Sequence, residues 1–551
     1  MMPVFFHTAS HLWIFYLFFL NGLLIHYLLR SRSSKYANCT QPVEAQVCAA
    51  FFVSMSLNGI LLLGVDILGG KISQLIFVLP VVTLVLLISL FTLKGAQRGI
   101  FSVDFSAPRL VLYVLVFTVL FYNGGLIEHV TDAWWHMALA NQIGYANSFD
   151  LDTGPLNGLN SNYYPPLWHG NLALANVLSG ISLPVFWNSF TAWGAVVKVM
   201  GFYLLAYSLA GRKNVAFLSA VLFVLLPGIG DSYLRVAAWP SHISYTAWFC
   251  LFYVMFFAID RFASDSLSSL RNWLELFVAQ RVYLGVFLLL SGVVYFVHRA
   301  ELLWFFIGMV AYVIAVTVHA NCADEQGEIE DWSNTLFRIL ARTILLACLS
   351  VGVWFITEQQ EKALSSLDFA IVFLLPVIIF AGISCLAWLS PAADVGQRRW
   401  LAYLFIFILV TALVLTIDLR QLMSLFDPEQ AYAIESSLER ALHATGVFGE
   451  RLQVPGWHHQ LRFGLLYSGI VSIPLALFMA IVKPTRLSLF TAGTGTLAIL
   501  VCCSPYLYQW LVDILNYHSV WRIALLIFHP IVIAAFAYQL WDSLSPDPST
   551  R

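Results

Sequence analysis

The stretch that decides the reading is "RLVLYVLVFTVLFYNGGLIEHVTDAWWHMA", Arg109 to Ala138. It begins as an apolar run of the length a bilayer-spanning helix needs, about 20 residues at 1.5 Å each. It then turns abruptly polar, with Glu128, His129, Asp132, Trp134, Trp135 and His136 in quick succession. Asp132 and His136 are four apart, so if Thr131 caps a helix they share one face. Trp134 and Trp135 have the amphipathic rings that settle at a membrane–water boundary. A carboxylate emerging where a span meets water, with an imidazole one turn on, is well placed as a general base beside apolar surface.

Composition fixes the class around this stretch. The chain has 551 residues, of which 60% are hydrophobic and 11% charged, and its mean hydropathy is +0.80. Soluble domains carry about 25% charged residues, so this chain lacks the polar surface to be one. Apolar runs recur along its whole length, which points to a polytopic, all-α transmembrane bundle. A net charge of -2 argues against nucleic acid as a partner. The eight cysteines include no CxxC pair, and Cys250, Cys348, Cys385, Cys502 and Cys503 fall inside apolar runs as small hydrophobes. The N-terminus lacks a basic start and a small-residue cleavage site, so residues 11–29 read as a retained first span.

Hydropathy gives candidate spans at 11–29, 48–68, 73–94, 108–125, 190–210, 214–230, 243–259, 282–298, 301–318, 338–356, 367–389, 400–416, 464–482, 487–508 and 519–541. Counted this way, the basic groups around Arg30, Lys94 to Arg109, Arg212, Arg261 to Arg281, Arg398 and Lys483 all fall on one side, while no Lys or Arg occurs between Arg109 and Lys198. Positive charge stays cytoplasmic, so the N-terminus is expected outside and the C-terminus inside. Residues 126–189, 229–242 and 417–463 then face outward, whereas the acidic stretch from His319 to Phe337 lies inside as solvated surface. Loop 417–463 contains an amphipathic helix pattern from Ala431 to His443, then Trp457, His458 and His459.

The outer segments hold the candidate chemistry. After Asp132 come Asp150 and Asp152 in a turn-rich stretch, then "YYPPLWHGN" with Tyr163, Tyr164, Trp168 and His169. Pro165 and Pro166 bias the tyrosines away from helix. Two readings stay open: a platform on which sugar rings pack, or a rigid turn re-entering the interface. His136, His169, Asp132 and Asp150 also carry donor atoms suited to a divalent cation, although no fixed metal spacing is present. Asp231, Arg235, Trp239 and His242 occupy one outer segment, and His298, Arg299 and Glu301 a tight outer turn. Tyr517, His518 and Arg522 sit at the outer mouth of the last span. An arginine there either snorkels to the interface or grips a phosphate through its fork of donors. No Walker A or GxGxxG stretch offers nucleotide binding. An activated substrate on the outer face must therefore arrive on another carrier, and a membrane-soluble phosphate carrier meets the need.

With "TDAWWHMA" closing the fourth span and "YYPPLWH" later in the same loop, the chain resembles the GT-C superfamily of integral-membrane glycosyltransferases. The resemblance implies a GT-C-type bundle of about 13–15 spans with interfacial helices in the first long outer loop. Residues 1–107 would be accessory helices, 108–541 the catalytic domain and 542–551 a cytoplasmic tail. It implies a polyprenyl-phosphate sugar as donor and a glycan or protein as acceptor. Asp132 would be the base with His136 as its partner, and Arg522, Arg235 or Arg299 would grip the phosphate. His518, Tyr517, Tyr163, Tyr164, Trp168, His169 and Asp150 would line the substrate. The setting would be a bacterial inner membrane, and within the superfamily the lean is toward furanose sugars such as arabinofuranose. A paired DD or DxD after the span is absent, and in this the chain departs from the superfamily pattern. One rival is an enzyme of the O-antigen ligase or polymerase type, which would use Arg440, Arg451 and His458 of the second loop. Another is a transporter or flippase, which needs polar residues at mid-span, and those are sparse.

Overall fold

A computed structural model describes residues 2–32, 41–92, 103–104, 106–123, 131–149, 165–226, 234, 237–262, 281–298, 300–322, 472–480, 484–503 and 521–544. Helix α1 (Met2–Phe15) passes through a π-helical turn, Tyr16–Leu20, into α2 (Asn21–Arg32). Then follow α3 (Val43–Ile67), α4 (Leu75–Thr92), α5 (Ala107–Asn123), α6 (Thr131–Ala146), α7 (Leu167–Ser179) and α8 (Leu183–Ala210). Beyond these come α9 (Lys213–Leu225), α10 (Pro240–Phe262), α11 (Arg281–His298) and α12 (Ala300–Cys322). Residues 472–480 form α13, and α14 (Arg486–Cys503) and α15 (His529–Leu544) complete the described helices. A two-residue parallel pairing of Gln41–Pro42 with Val103–Asp104 is a small addition to an all-α fold.

Among the described residues, four helical stretches are long and apolar enough to cross a membrane: Thr8–Leu29, Val43–Ile67, Ile72–Thr92 and Leu183–Ala210. Shorter apolar helices at Ala107–Phe121, Lys213–Leu225, Gly285–His298 and Glu301–Val316 fall on further expected spans. The expected spans at 338–356, 367–389 and 400–416 and the loop 417–463 lie outside the described residues. The last expected span, 519–541, is corrected. It is a 3-10 turn, Trp521–Leu526, followed by a separate helix from His529. Pro530 explains the break, because a proline has no N–H for the preceding turn and fits the first turn of a new helix.

The chain divides into compact units at Met1–Leu302 and Leu303–Arg551. In the second, Phe490 of α14 stacks on Phe528 at 5.5 Å and meets the Tyr312 ring edge-on at 5.9 Å. Gly493 lies so near Ala311 that a Cβ there would be 2.6 Å from the Ala311 carbonyl oxygen, a small-residue contact of the kind membrane helices use.

In the first unit α8 is the central helix, packed by α1, α3, α5, α9 and α10. Its ends are set locally. Ser182 is extended at the N-cap with Pro184 in the first turn, and Gly211 closes the helix at φ +66°. Helix α4 is peripheral, with Phe77 and Phe91 mostly exposed on an apolar surface suited to lipid.

Polar side chains fix the helices to one another. Asn58 of α3 donates to the Leu17 carbonyl at 3.0 Å and to Asn171 Oδ1 of α7 at 2.9 Å. At the other end of α3, Arg109 Nη1 donates to both Glu44 carboxylate oxygens at 3.1 and 3.0 Å, while Tyr113 donates to Glu44 Oε1 at 2.7 Å. The same guanidinium reaches the Asp104 carbonyl at 3.0 Å, and Asp104 also pairs with Lys213 Nζ at 2.9 Å. The starts of α3, α5 and α9 therefore meet at one end of the bundle.

Removing one partner of a buried ion pair strands the other charge, at a cost of about 3–5 kcal/mol. Arg109→Met is expected to lower the thermal unfolding midpoint in detergent strongly. Adding Glu44→Gln, which keeps an acceptor for Tyr113, recovers much of the loss. A double variant no more stable than Arg109→Met contradicts this account of the staple.

Candidate active site at the α6–α7 contact

Helix α6 begins at Thr131, so Asp132 stands in its first turn and His136 one turn later, as the four-residue spacing predicts. A carboxylate in a first helical turn is favoured by the exposed N–H groups and the helix dipole. The far end of α6 is anchored too. Asn147, at φ +53°, accepts from Ser73 N through Oδ1 at 2.8 Å and donates to Ser73 Oγ at 2.9 Å. Ser148 Oγ donates to Asp66 Oδ1 at 3.1 Å. These bonds hold the α6 terminus on the α3–α4 turn, at the end of the bundle opposite the Glu44–Arg109 pair.

Pro165 and Pro166 lead directly into α7, with the Gly170 N–H donating to the Pro166 carbonyl at 2.8 Å. Gly170 has no room for a side chain, because a Cβ would sit 2.4 Å from the Phe149 ring. That close approach folds residues 147–149 back over the start of α7. Trp168 and His169 thereby enter the bundle. Trp168 is fully buried, with Phe18 and Phe190 centroids 5.8 and 4.8 Å away, so its ring packs the core.

The two imidazoles meet across the α6–α7 contact. His136 Nδ1 lies 3.0 Å from His169 Nε2, a hydrogen-bond distance, and both side chains are buried. Trp187 stacks on His136 at 6.3 Å and 14°, while Trp135 is edge-on to His169 at 6.5 Å. Trp134 is half-exposed, as a boundary anchor would be. Burial pushes the His169 ring down to about 4, against the opposing effect of a hydrogen bond to the Pro165 carbonyl. The His169 ring is therefore neutral at pH 7. Among the described residues no three His, Cys, Asp or Glu side chains converge as a ligand set.

Of the other expected site residues, Asp150, Tyr163, Tyr164, Arg235, Arg299, Tyr517 and His518 lie outside the described residues. Arg522 belongs by its backbone to the 3-10 turn Trp521–Leu526.

The sequence reading passed over one buried cluster. Lys198 Nζ, at mid-length of α8, lies 2.7 Å from His242 Nδ1 and 5.5 Å from the Tyr245 ring centroid. A charged residue inside an expected span was the available signal, since such residues are kept for function or for pairing. His298 Nδ1 and Glu301 Oε2 form a second buried pair at 2.5 Å across the α11–α12 turn.

Because the folded His169 ring sits below its ordinary value of 6.5, the unfolded chain binds more protons in acid. Its contribution to stability is complete above pH 6.5 and is lost as pH falls through about 4. Thermal unfolding at a series of pH values should show this loss, and His169→Gln should flatten it. An unchanged acid slope in His169→Gln contradicts the assignment.

No family model and no curated protein matches the chain. Among solved structures it is similar to the apo oligosaccharyltransferase of Archaeoglobus fulgidus, with a TM-score of 0.49 and 14% identity over 79% of this chain and 51% of that one. It is also similar to the archaeal oligosaccharyltransferase AglB from Archaeoglobus fulgidus in complex with an inhibitory peptide and a dolichol-phosphate, with a TM-score of 0.45 and 12% identity over 80% and 52% of the two chains. The chain thus spans about half the length of these two structures.

Proposed function

We propose that the chain is a membrane glycosyltransferase that moves a sugar from a polyprenyl-phosphate donor to a glycan or protein acceptor on the outer face of a bacterial inner membrane. The observation that carries the reading is the start of α6 at Thr131, which sets Asp132 one turn before the buried His136–His169 pair. Asp132 is the general base. It draws the proton from an acceptor hydroxyl, the oxygen attacks the anomeric carbon with inversion, and the bond from that carbon to the carrier phosphate breaks. An arginine stabilises the departing phosphate, with Arg522, Arg235 and Arg299 the candidates. Aromatic side chains seat the sugar, and a furanose such as arabinofuranose is the favoured donor class. The N-terminus lies outside and the C-terminus inside.

The loss of a general base lowers turnover by about 10²–10⁴-fold. Asp132→Asn is therefore expected to reduce transfer by that order in purified protein, with folding unchanged. Turnover that persists in Asp132→Asn sinks the assignment. An enzyme of the ligase or polymerase type would instead tolerate Asp132→Ala and fail on Arg440, Arg451 or His458 replacement. For orientation, Ser148→Cys should be labelled by an impermeant thiol reagent from outside, and Lys213→Cys only from the cytoplasm. The reverse pattern contradicts the outer-face placement.

A further inference from the structure

The first membrane-crossing stretch is not a regular helix. At Tyr16–Leu20 it opens into a π-helical turn, which widens the backbone ladder by one residue and leaves a carbonyl without its α-helical partner. Two side chains of α3 enter the gap. The Leu17 carbonyl accepts from Asn58 Nδ2 at 3.0 Å, and the Gly22 N–H, just beyond the turn, donates to Ser54 Oγ at 2.7 Å. Ser54 and Asn58 are four apart, so one face of α3 supplies both. Side chains inserted into the ladder are among the few causes of a local break in a helix. The same turn reaches α7 twice. Asn58 Nδ2 has two hydrogens, and the second goes to Asn171 Oδ1 at 2.9 Å. Asn171 in turn donates to the Leu167 and Met55 carbonyls at 2.8 and 3.3 Å. Phe18, in the middle of the turn, holds its ring 5.8 Å from that of Trp168. Trp168 and Asn171 flank His169 along α7.

We infer that the π-turn of the first span, held open by Ser54 and Asn58, sets the register of α7 and so brings His169 to His136, with Asn58 as the positioning residue. The first span and α3 are then part of the candidate site rather than an accessory layer beside it. Straightened to an α-helix, the turn would displace the residues on one side by about 100° around the axis, the share of one residue. Phe18 would leave Trp168, and the Leu17 carbonyl would leave Asn58. Apolar packing alone does not oppose such a shift, because one greasy face packs much like the next.

The test is 15N NMR of the histidine-labelled full chain in lipid bilayers, with thermal unfolding of the same protein. It reads the nitrogen–nitrogen coupling across the 3.0 Å contact of His136 Nδ1 and His169 Nε2, assigned with His136→Gln and His169→Gln. The natural chain shows the coupling and Asn58→Leu loses it. Asn58→Leu with Asn171→Leu replaces both amides by apolar groups, so the unfolding midpoint recovers while the coupling does not. Arg109→Met, which acts at the other end of α3, lowers the midpoint and keeps the coupling. A folded Asn58→Leu chain that keeps the coupling overturns the inference, as does a coupling that returns with stability in the double variant. Should Asn58→Leu alone fail to fold, the double variant decides. A kinetic readout rests on the glycosyl-transfer reading: kcat of the double variant falls about 100-fold with the donor KM unchanged, the scale of a misplacement of about 1 Å. If the natural chain transfers no sugar, that reading falls, while the NMR spectra still decide the role of the turn.

Discussion

In a bundle this apolar, a buried polar side chain must be paired where it sits, because neither water nor lipid will solvate it. Asn58 with Asn171, Glu44 with Arg109, Lys198 with His242 and His136 with His169 each join different helices. Apolar contacts hold the helices together without choosing among similar registers, since lipid tails compete for the same surface. The polar pairs make the choice. A shift of α7 by one residue along α3 would part Asn58 from Asn171 and break the buried hydrogen bond between them.

That constraint also builds the candidate site. Helix α7 is held on α3 by Asn171, and α6 on the α3–α4 turn by Asn147 and Ser148. With both ends defined, His136 and His169 are brought to hydrogen-bond distance within an aromatic enclosure of Trp135 and Trp187. Burial in that enclosure keeps His169 neutral at pH 7. A base beside such a pair works where water is scarce, and there a change in charge is felt more strongly than at an exposed surface.

The sequence made the all-α class, most helix positions and the start of α6 legible, because spans and caps are local signals. The Asp132–His136 spacing was readable for the same reason. The His136–His169 bond was not, since it joins residues 33 positions apart whose meeting depends on how α6 and α7 pack. Trp168 looked like a ring offered to a ligand, and only the packing of Phe18 and Phe190 shows it enclosed. Lys198 was visible as a charge within an apolar run, but its partner His242 comes from a helix that begins at mid-length of α8. The interruption at 527–528 was signalled by Pro530, although hydropathy alone runs straight through it.

Displacement at the anomeric carbon of a lipid-phosphate sugar can be read with a polyprenyl-phosphate sugar carrying 18O in the oxygen that bridges sugar and phosphorus, incubated with purified protein and acceptor. Mass spectrometry should find the sugar on the acceptor and all of the label in the released polyprenyl phosphate. Donor left intact, or label retained by the transferred sugar, would contradict the account.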